Sequence, residues 1–201
     1  MPTPPVLVLA WRRPDLTARV LDAIAVQRPE RLFVACDGWD EDTPPDVVAA
    51  VRATRAVLDR EPDWPCTVER RYADRNLGLR RAVSGALDWF FEAVEEGSVL
   101  EDDCLPHPDF FSYCGELLER YRDDERVMCI SGDNSSAVPL QGDSSYGFIR
   151  WPLFWGWATW RRAWRHYDHD LRVLSGLSEE RWQEMLPDPD ERRVRRERLA
   201  A

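Results

Sequence analysis

The sequence predicts an α/β fold built on a mostly parallel sheet. Two observations predict it. Short, continuously apolar segments alternate with segments of helical period from residue 6 to residue 131. Polar clusters follow directly on several of the apolar segments, as they do where strands of such a sheet end at a site.

The elements follow in order. Val6-Leu7-Val8-Leu9-Ala10 is apolar throughout and bounded by Pro, the pattern of a strand buried on both faces. Leu16, Val20, Leu21 and Ile24 recur at helical spacing, and Pro29 closes that helix. Leu32 to Cys36 reads as a second buried strand, ending in the polar loop Asp37 to Asp42. Val47, Val48, Val51 and Leu58 mark the next helix face, and Thr67 to Tyr72 a weaker strand. Leu79, Ala82, Val83, Ala86, Leu87, Phe90 and Val94 form a clean helical stripe. Ser98-Val99-Leu100 is a very short strand that runs into Glu101-Asp102-Asp103. Pro108 opens a helix carrying Phe110, Phe111, Cys114, Leu117, Leu118 and Tyr121, and Val127 to Ile130 reads as the last clear strand.

Three stretches are expected: an α/β core over 1–131, an aromatic segment over 132–175 and a charged helical tail over 176–201. Trp157, Trp160 and Trp164 are spaced i, i+3, i+7, which favours core packing at helical period.

Composition narrows the function. The chain has 201 residues, 44% hydrophobic and 32% charged, enough to bury a core without disulfides or metals. Every basic residue is Arg, and the net charge of −10 argues against a general nucleic-acid binder. The 5 Cys include no C-x-x-C pair and read as reduced, buried thiols. No run approaches the roughly 20 apolar residues of a membrane span, and no signal-peptide pattern opens the chain. A cytoplasmic protein is expected.

The chemistry concentrates after the strands. Consecutive carboxylates at Glu101-Asp102-Asp103 repel one another unless a cation such as Mn²⁺ or Mg²⁺ neutralises them. Arg12 and Arg13 carry forked donors suited to phosphate. Asp37 is placed to accept a base N–H or to cap a turn. Gly78 permits close backbone approach at a helix start, where Arg80 or Arg81 can face an anion.

Taken together, VLEDDCLPHPDFFSY at 99–113, ACDG at 35–38, CISGDN at 129–134 and FWGWATWRRAW at 154–164 resemble the GT-A glycosyltransferases. The likeness is to N-acetylglucosaminyltransferase I and the bacterial glycosyltransferase family 2 proteins, which are nucleotide-diphospho-sugar transferases. The resemblance implies a Rossmann-like GT-A fold and a divalent-metal-dependent transfer of a sugar to a hydroxyl acceptor, with inversion. UDP is the donor nucleotide it favours. It implies that Asp103 ligates Mn²⁺ (or Mg²⁺), that Asp102 contacts the ribose or sugar, and that Glu101 supports the donor. It further implies that Asp37 reads the base, that Ala10 and Arg13 line the nucleotide pocket, and that Gly156 and Trp157 border sugar and acceptor.

The chain departs from the family where the catalytic base is expected. Arg150 stands there, and Asp133, Asp143 and Asp168 are the replacement candidates. The related proteins also continue beyond their Trp-rich segment, so the tail reads as minimal or truncated. Two rival readings follow: a non-catalytic nucleotide-sugar-binding module, and a different metal-dependent enzyme acting on nucleotide phosphates.

Overall fold

The computed structural model describes residues 3–133 and 144–200. The chain divides into two compact units, residues 1–166 and 167–201.

The larger unit is the predicted mixed α/β structure. Its elements run β1 (Val6–Ala10), α1 (Pro14–Gln27), β2 (Arg31–Cys36), α2 (Pro45–Leu58), β3 (Thr67–Tyr72), α3 (Leu79–Ala93), β4 (Glu96–Glu101), α4 (Asp109–Arg120), β5 (Ile130–Ser131), β6 (Trp157–Trp160) and α5 (Arg161–Trp164). Six strands form one sheet in the order β3-β2-β1-β4-β6-β5. The first four are parallel: β1 pairs with β2 from Val6–Leu32 to Ala10–Cys36, and with β4 from Val6–Ser98 to Leu9–Glu101. β6 runs antiparallel to β4 and to β5.

Strand alternation sends the two faces to separate cores. Val6, Val8, Val34 and Leu100 pack with Val20, Ile24, Val51, Phe111 and Leu118 under α1, α2 and α4. Leu7, Phe33 and Val99 face the other way, against Leu87, Phe90 and Phe91 of α3. Coverage of both faces is why these strands read as unbroken apolar runs.

One expectation holds and one is corrected. Trp157 and Trp160 are core residues, as their spacing favours, though the Trp157–Trp160 segment is a strand. Trp157 and Trp160 are buried on opposite sides of the sheet, and Trp160 donates its indole N–H to the Leu118 carbonyl at 3.2 Å. The stretch from Val127 is shorter as a strand than predicted, since only Ile130 and Ser131 pair with β6.

The smaller unit contains a short 3₁₀ turn (Arg172–Gly176), α6 (Glu179–Met185) and α7 (Pro189–Ala200). Ser178 caps α6 by accepting the Arg181 N–H at 3.2 Å, and Arg196 reaches Glu179 at 2.6 Å.

Candidate functional site

The strand order reverses between β1 and β4, because β2 and β3 lie on one side of β1 and β4 on the other. A crevice forms beyond the carboxyl ends of strands at such a point. The loops after β1, β2 and β4 all end there, and their side chains are joined.

Asp102 is the centre of that junction. It is 2% exposed. Its Oδ2 accepts the Trp11 backbone N–H at 3.1 Å, and its Oδ1 takes an Arg13 guanidinium N–H at 2.7 Å. The same guanidinium donates to Asp103 Oδ2 at 2.5 Å. One Arg after β1 thus clamps both carboxylates after β4, across some 90 residues of chain. Trp11 then ties in the third loop, since its indole N–H donates to the Gly38 carbonyl at 3.1 Å.

The electrostatics follow burial. Burial pushes the Asp102 carboxyl above its ordinary range, although the Trp11 amide and Arg13 pull the other way. Glu101 is raised as well, first by burial and then by Asp103 and Asp102. The Arg13 guanidinium, opposed by its own partial burial, is held further toward its charged form by the two carboxylates. The Asp102 carboxylate is deep, whereas the Arg13 side chain is 46% exposed.

Asp37 plays the capping part weighed for it. Its carboxylate accepts the Gly38 N–H and the Leu77 N–H, both at 2.9 Å, and so fixes the loop before α3. The loops meet closely there, since a Cβ on Gly38 would stand 2.5 Å from the Ala73 carbonyl oxygen. Arg55 holds the same junction from below. It lies over the rings of Trp39 and Tyr72 and donates to the carbonyls of Asp37 and Ala73. Sequence reasoning missed Arg55 and the clamping role of Arg13. The signal for Arg13 was its place directly after β1, opposite an acidic triplet.

The remaining candidates separate. Ala10 ends β1, and its carbonyl accepts the Asp37 N–H at 3.3 Å. Glu101 ends β4 beside Asp103. Arg80 is exposed in the first turn of α3 and makes no contact with the clamp. Asp133 and Gly156 line a cavity of about 1580 Å³ whose rim includes Asp103. Trp157 does not line it. That indole is 8% exposed and packs in the core behind β4, so a direct role beside a substrate is corrected on steric grounds. Asp143 lies outside the described residues. Asp168 belongs to the smaller unit. Its partial burial is outweighed by the Asp170 and Arg172 amides and the Arg172 side chain, which hold its carboxylate below the ordinary range. A carboxylate held in its ionised form by three donors is a weak base.

The acidic triplet alone is not a cation cage. Among the described residues no three His, Cys, Asp or Glu side chains gather to hold a metal ion. Both Asp102 oxygens and one Asp103 oxygen are occupied inside the fold.

No family model and no curated protein matches the chain. Solved structures do resemble it. A 4-diphosphocytidyl-2C-methyl-D-erythritol synthase from Anaerococcus prevotii is 8% identical, at a TM-score of 0.47 over 87% of this chain and 79% of that one. HddC from Yersinia pseudotuberculosis is 14% identical, at 0.45 over 87% of each chain. A cytidylyltransferase from Leptospira borgpetersenii is 9% identical, at 0.41 over 96% of this chain and 72% of that one. The glycosyltransferase expectation is corrected here: the solved structures that resemble the chain are named as a 4-diphosphocytidyl-2C-methyl-D-erythritol synthase, HddC and a cytidylyltransferase, none as a glycosyltransferase, and sugar transfer is withdrawn. Among the described residues no helix is long and apolar enough to cross a membrane.

Proposed function

We propose that the chain binds a nucleotide in the crevice between the β1, β2 and β4 loops and transfers its nucleotidyl group to a phosphate-bearing second substrate. The observation that carries this reading is the Arg13 clamp on Asp102 and Asp103, set at the strand-order reversal and opening on the 1580 Å³ cavity. A charged clamp on one side and a cavity on the other suit two substrates meeting at Asp103.

The base would lie along the Ala10–Asp37 side, and the phosphates would point to Asp103. Glu101, Asp102 and Asp103 outnumber Arg13, so an anionic chain is repelled from this corner unless it brings a divalent cation. That cation, Mg²⁺ or Mn²⁺, would neutralise charge on the leaving phosphates. Arg13 would fix Asp103 and release part of its fork to phosphate oxygen.

Arg126 and Arg150 line the cavity together with Asp103, Asp109 and Asp133. A phosphate oxygen is already ionised and would attack without a general base, whereas a hydroxyl would need one. The new P–O bond would form at the α-phosphorus as the α–β bridging bond breaks, and pyrophosphate would leave.

Calorimetric titration with CTP, UTP, GTP and ATP, each with Mg²⁺, tests the reading. Selective binding of one nucleotide, weakened at least tenfold in Asp103→Asn, is the expected result. No binding of any nucleotide would overturn it.

A further inference from the structure

Trp11 joins all three loops of the crevice. Its backbone N–H donates to Asp102 after β4, and its indole N–H to the Gly38 carbonyl after β2, both at 3.1 Å. Its own carbonyl accepts the Cys36 thiol at 3.5 Å. The side chain packs against the core under α1, α2 and α4 and stays half-buried. An indole anchored through its backbone, its N–H edge and its core contacts is a fixed plate.

Arg12 covers that plate. Its guanidinium carbon lies 4.5 Å from the centre of the indole ring, and the residue is exposed. Among the described residues Arg12 has no hydrogen-bond or ion-pair partner, because the nearby carboxylates of Asp102 and Asp103 pair with Arg13 instead.

We infer that the Trp11 ring is the stacking platform for the nucleobase, and that Arg12 is its displaceable cover. The inference rests on the proposed nucleotide site and names the residues that take the base there. Magnitudes favour the exchange. A cation–π contact at an exposed site is worth roughly two- to fivefold in an equilibrium constant. Stacking of a base on an aromatic ring is worth roughly five- to 150-fold. The position fits as well. Trp11 follows Ala10, and its indole N–H meets Gly38 next to Asp37, so the plate borders the side assigned to the base. Every base has a π-face, so the plate supplies affinity and not the choice between bases.

Displacement also couples the two ends of the nucleotide. The released guanidinium is a forked donor one residue from the clamp, free to turn to the phosphates of the same ligand. The base has to move Arg12 aside, and the phosphates then hold it.

The full chain, labelled with 5-fluorotryptophan, is titrated with cytidine, uridine, guanosine and adenosine, and with the matching triphosphates and Mg²⁺, and followed by fluorine NMR and calorimetry. Trp11→Phe assigns the Trp11 signal by its loss, and nucleosides are expected to shift that signal. Arg12→Ala changes an exposed position. It is expected to tighten nucleoside binding roughly two- to fivefold and to weaken triphosphate binding by at least about fivefold. A merely structural Arg12 would move both ligand classes the same way. Trp11→Leu is expected to weaken every nucleoside by about tenfold, and Trp11→Phe to recover most of that loss. Should Trp11→Leu fail to fold, the Trp11 signal and Arg12→Ala decide. A Trp11 signal unmoved by a nucleoside that binds overturns the inference. So does Arg12→Ala if it fails to tighten nucleosides or to weaken triphosphates. Either result alongside triphosphate binding that needs Mg²⁺ and Asp103 sinks this inference alone. Trp11-dependent nucleoside binding without Mg²⁺-dependent triphosphate binding sinks the proposed function and leaves a base site. Failure of every ligand to bind overturns both.

Discussion

Replacing Asp102 by Ala tests whether the clamp holds the three loops together. The Trp11 N–H loses its acceptor, and a buried donor left unsatisfied costs about 1–3 kcal/mol. The ion pair to Arg13 adds at most about 1 kcal/mol, because the guanidinium is 46% exposed and screened. Relief of carboxylate desolvation offsets part of the loss. The expected net is a loss of about 2 kcal/mol, read from urea unfolding at constant m-value. The pH dependence sharpens the test. Burial raises the folded Asp102 carboxyl above its ordinary 3.8, so the folded protein holds that proton longer than the unfolded chain. Its contribution is therefore full below pH 3.8 and falls as pH rises through the folded value. The gap between wild type and Asp102→Ala should accordingly narrow from acid to neutral pH. A loss under about 0.5 kcal/mol would refute the clamp as drawn, since the Trp11 amide would then have another acceptor; a gap that widens toward neutral pH would instead show that Arg13 and the Trp11 amide outweigh burial at Asp102.

Three further outcomes are expected. Gly38→Ala should cost about 1–3 kcal/mol in a thermal or urea melt, because its Cβ would meet the carbonyl oxygens of Ala73 and Arg75, which are backbone and cannot swing aside. Ser98→Ala should be neutral or stabilising by up to about 1 kcal/mol in the same melts, since the Ser98 hydroxyl is fully buried without a well-formed hydrogen bond and has only the weak Cys114 thiol to interact with by hydrogen bonding. Burial pushes the thiols of Cys36 and Cys129 up to about 11 and that of Cys114 to about 12. The unfolded chain releases these protons near 9.0, so stability should fall as pH climbs from 9 through 11, and urea titrations at stepped pH should show it.

Much of the larger unit was legible because its strands are buried on both faces. Val6 to Ala10 and Leu32 to Cys36 cannot be amphipathic when helices cover each side, and an unbroken apolar run reports that directly. The helices were legible for the opposite reason, each having one apolar face. The indole spacing at 157–160 misled because i and i+3 fall on opposite faces of a strand. Both faces of β6 are buried there, so helix and strand demanded the same residues.

The site was legible in part. Polar residues after buried strands placed Arg13, Asp37, Asp102 and Asp103 at one edge, and the fold brings them together. Their partners were not legible, because pairing across some 90 residues is set by loop geometry and not by spacing. An acidic triplet looked costly without a cation. The fold supplies Arg13 as the neutralising group, and Asp103 remains the partly exposed carboxylate of that pair, 41% exposed against 3% for Asp102. Asp37 likewise spends its carboxylate on loop amides.

The most direct test of the central claim is the calorimetric titration of nucleoside triphosphates with Mg²⁺ into wild type and Asp103→Asn. The account predicts that one nucleotide binds selectively, that binding weakens at least tenfold without Mg²⁺, and that Asp103→Asn loses the Mg²⁺ dependence. Binding that is equal with and without Mg²⁺ and indifferent to Asp103→Asn would contradict it, and so would the failure of every nucleotide to bind.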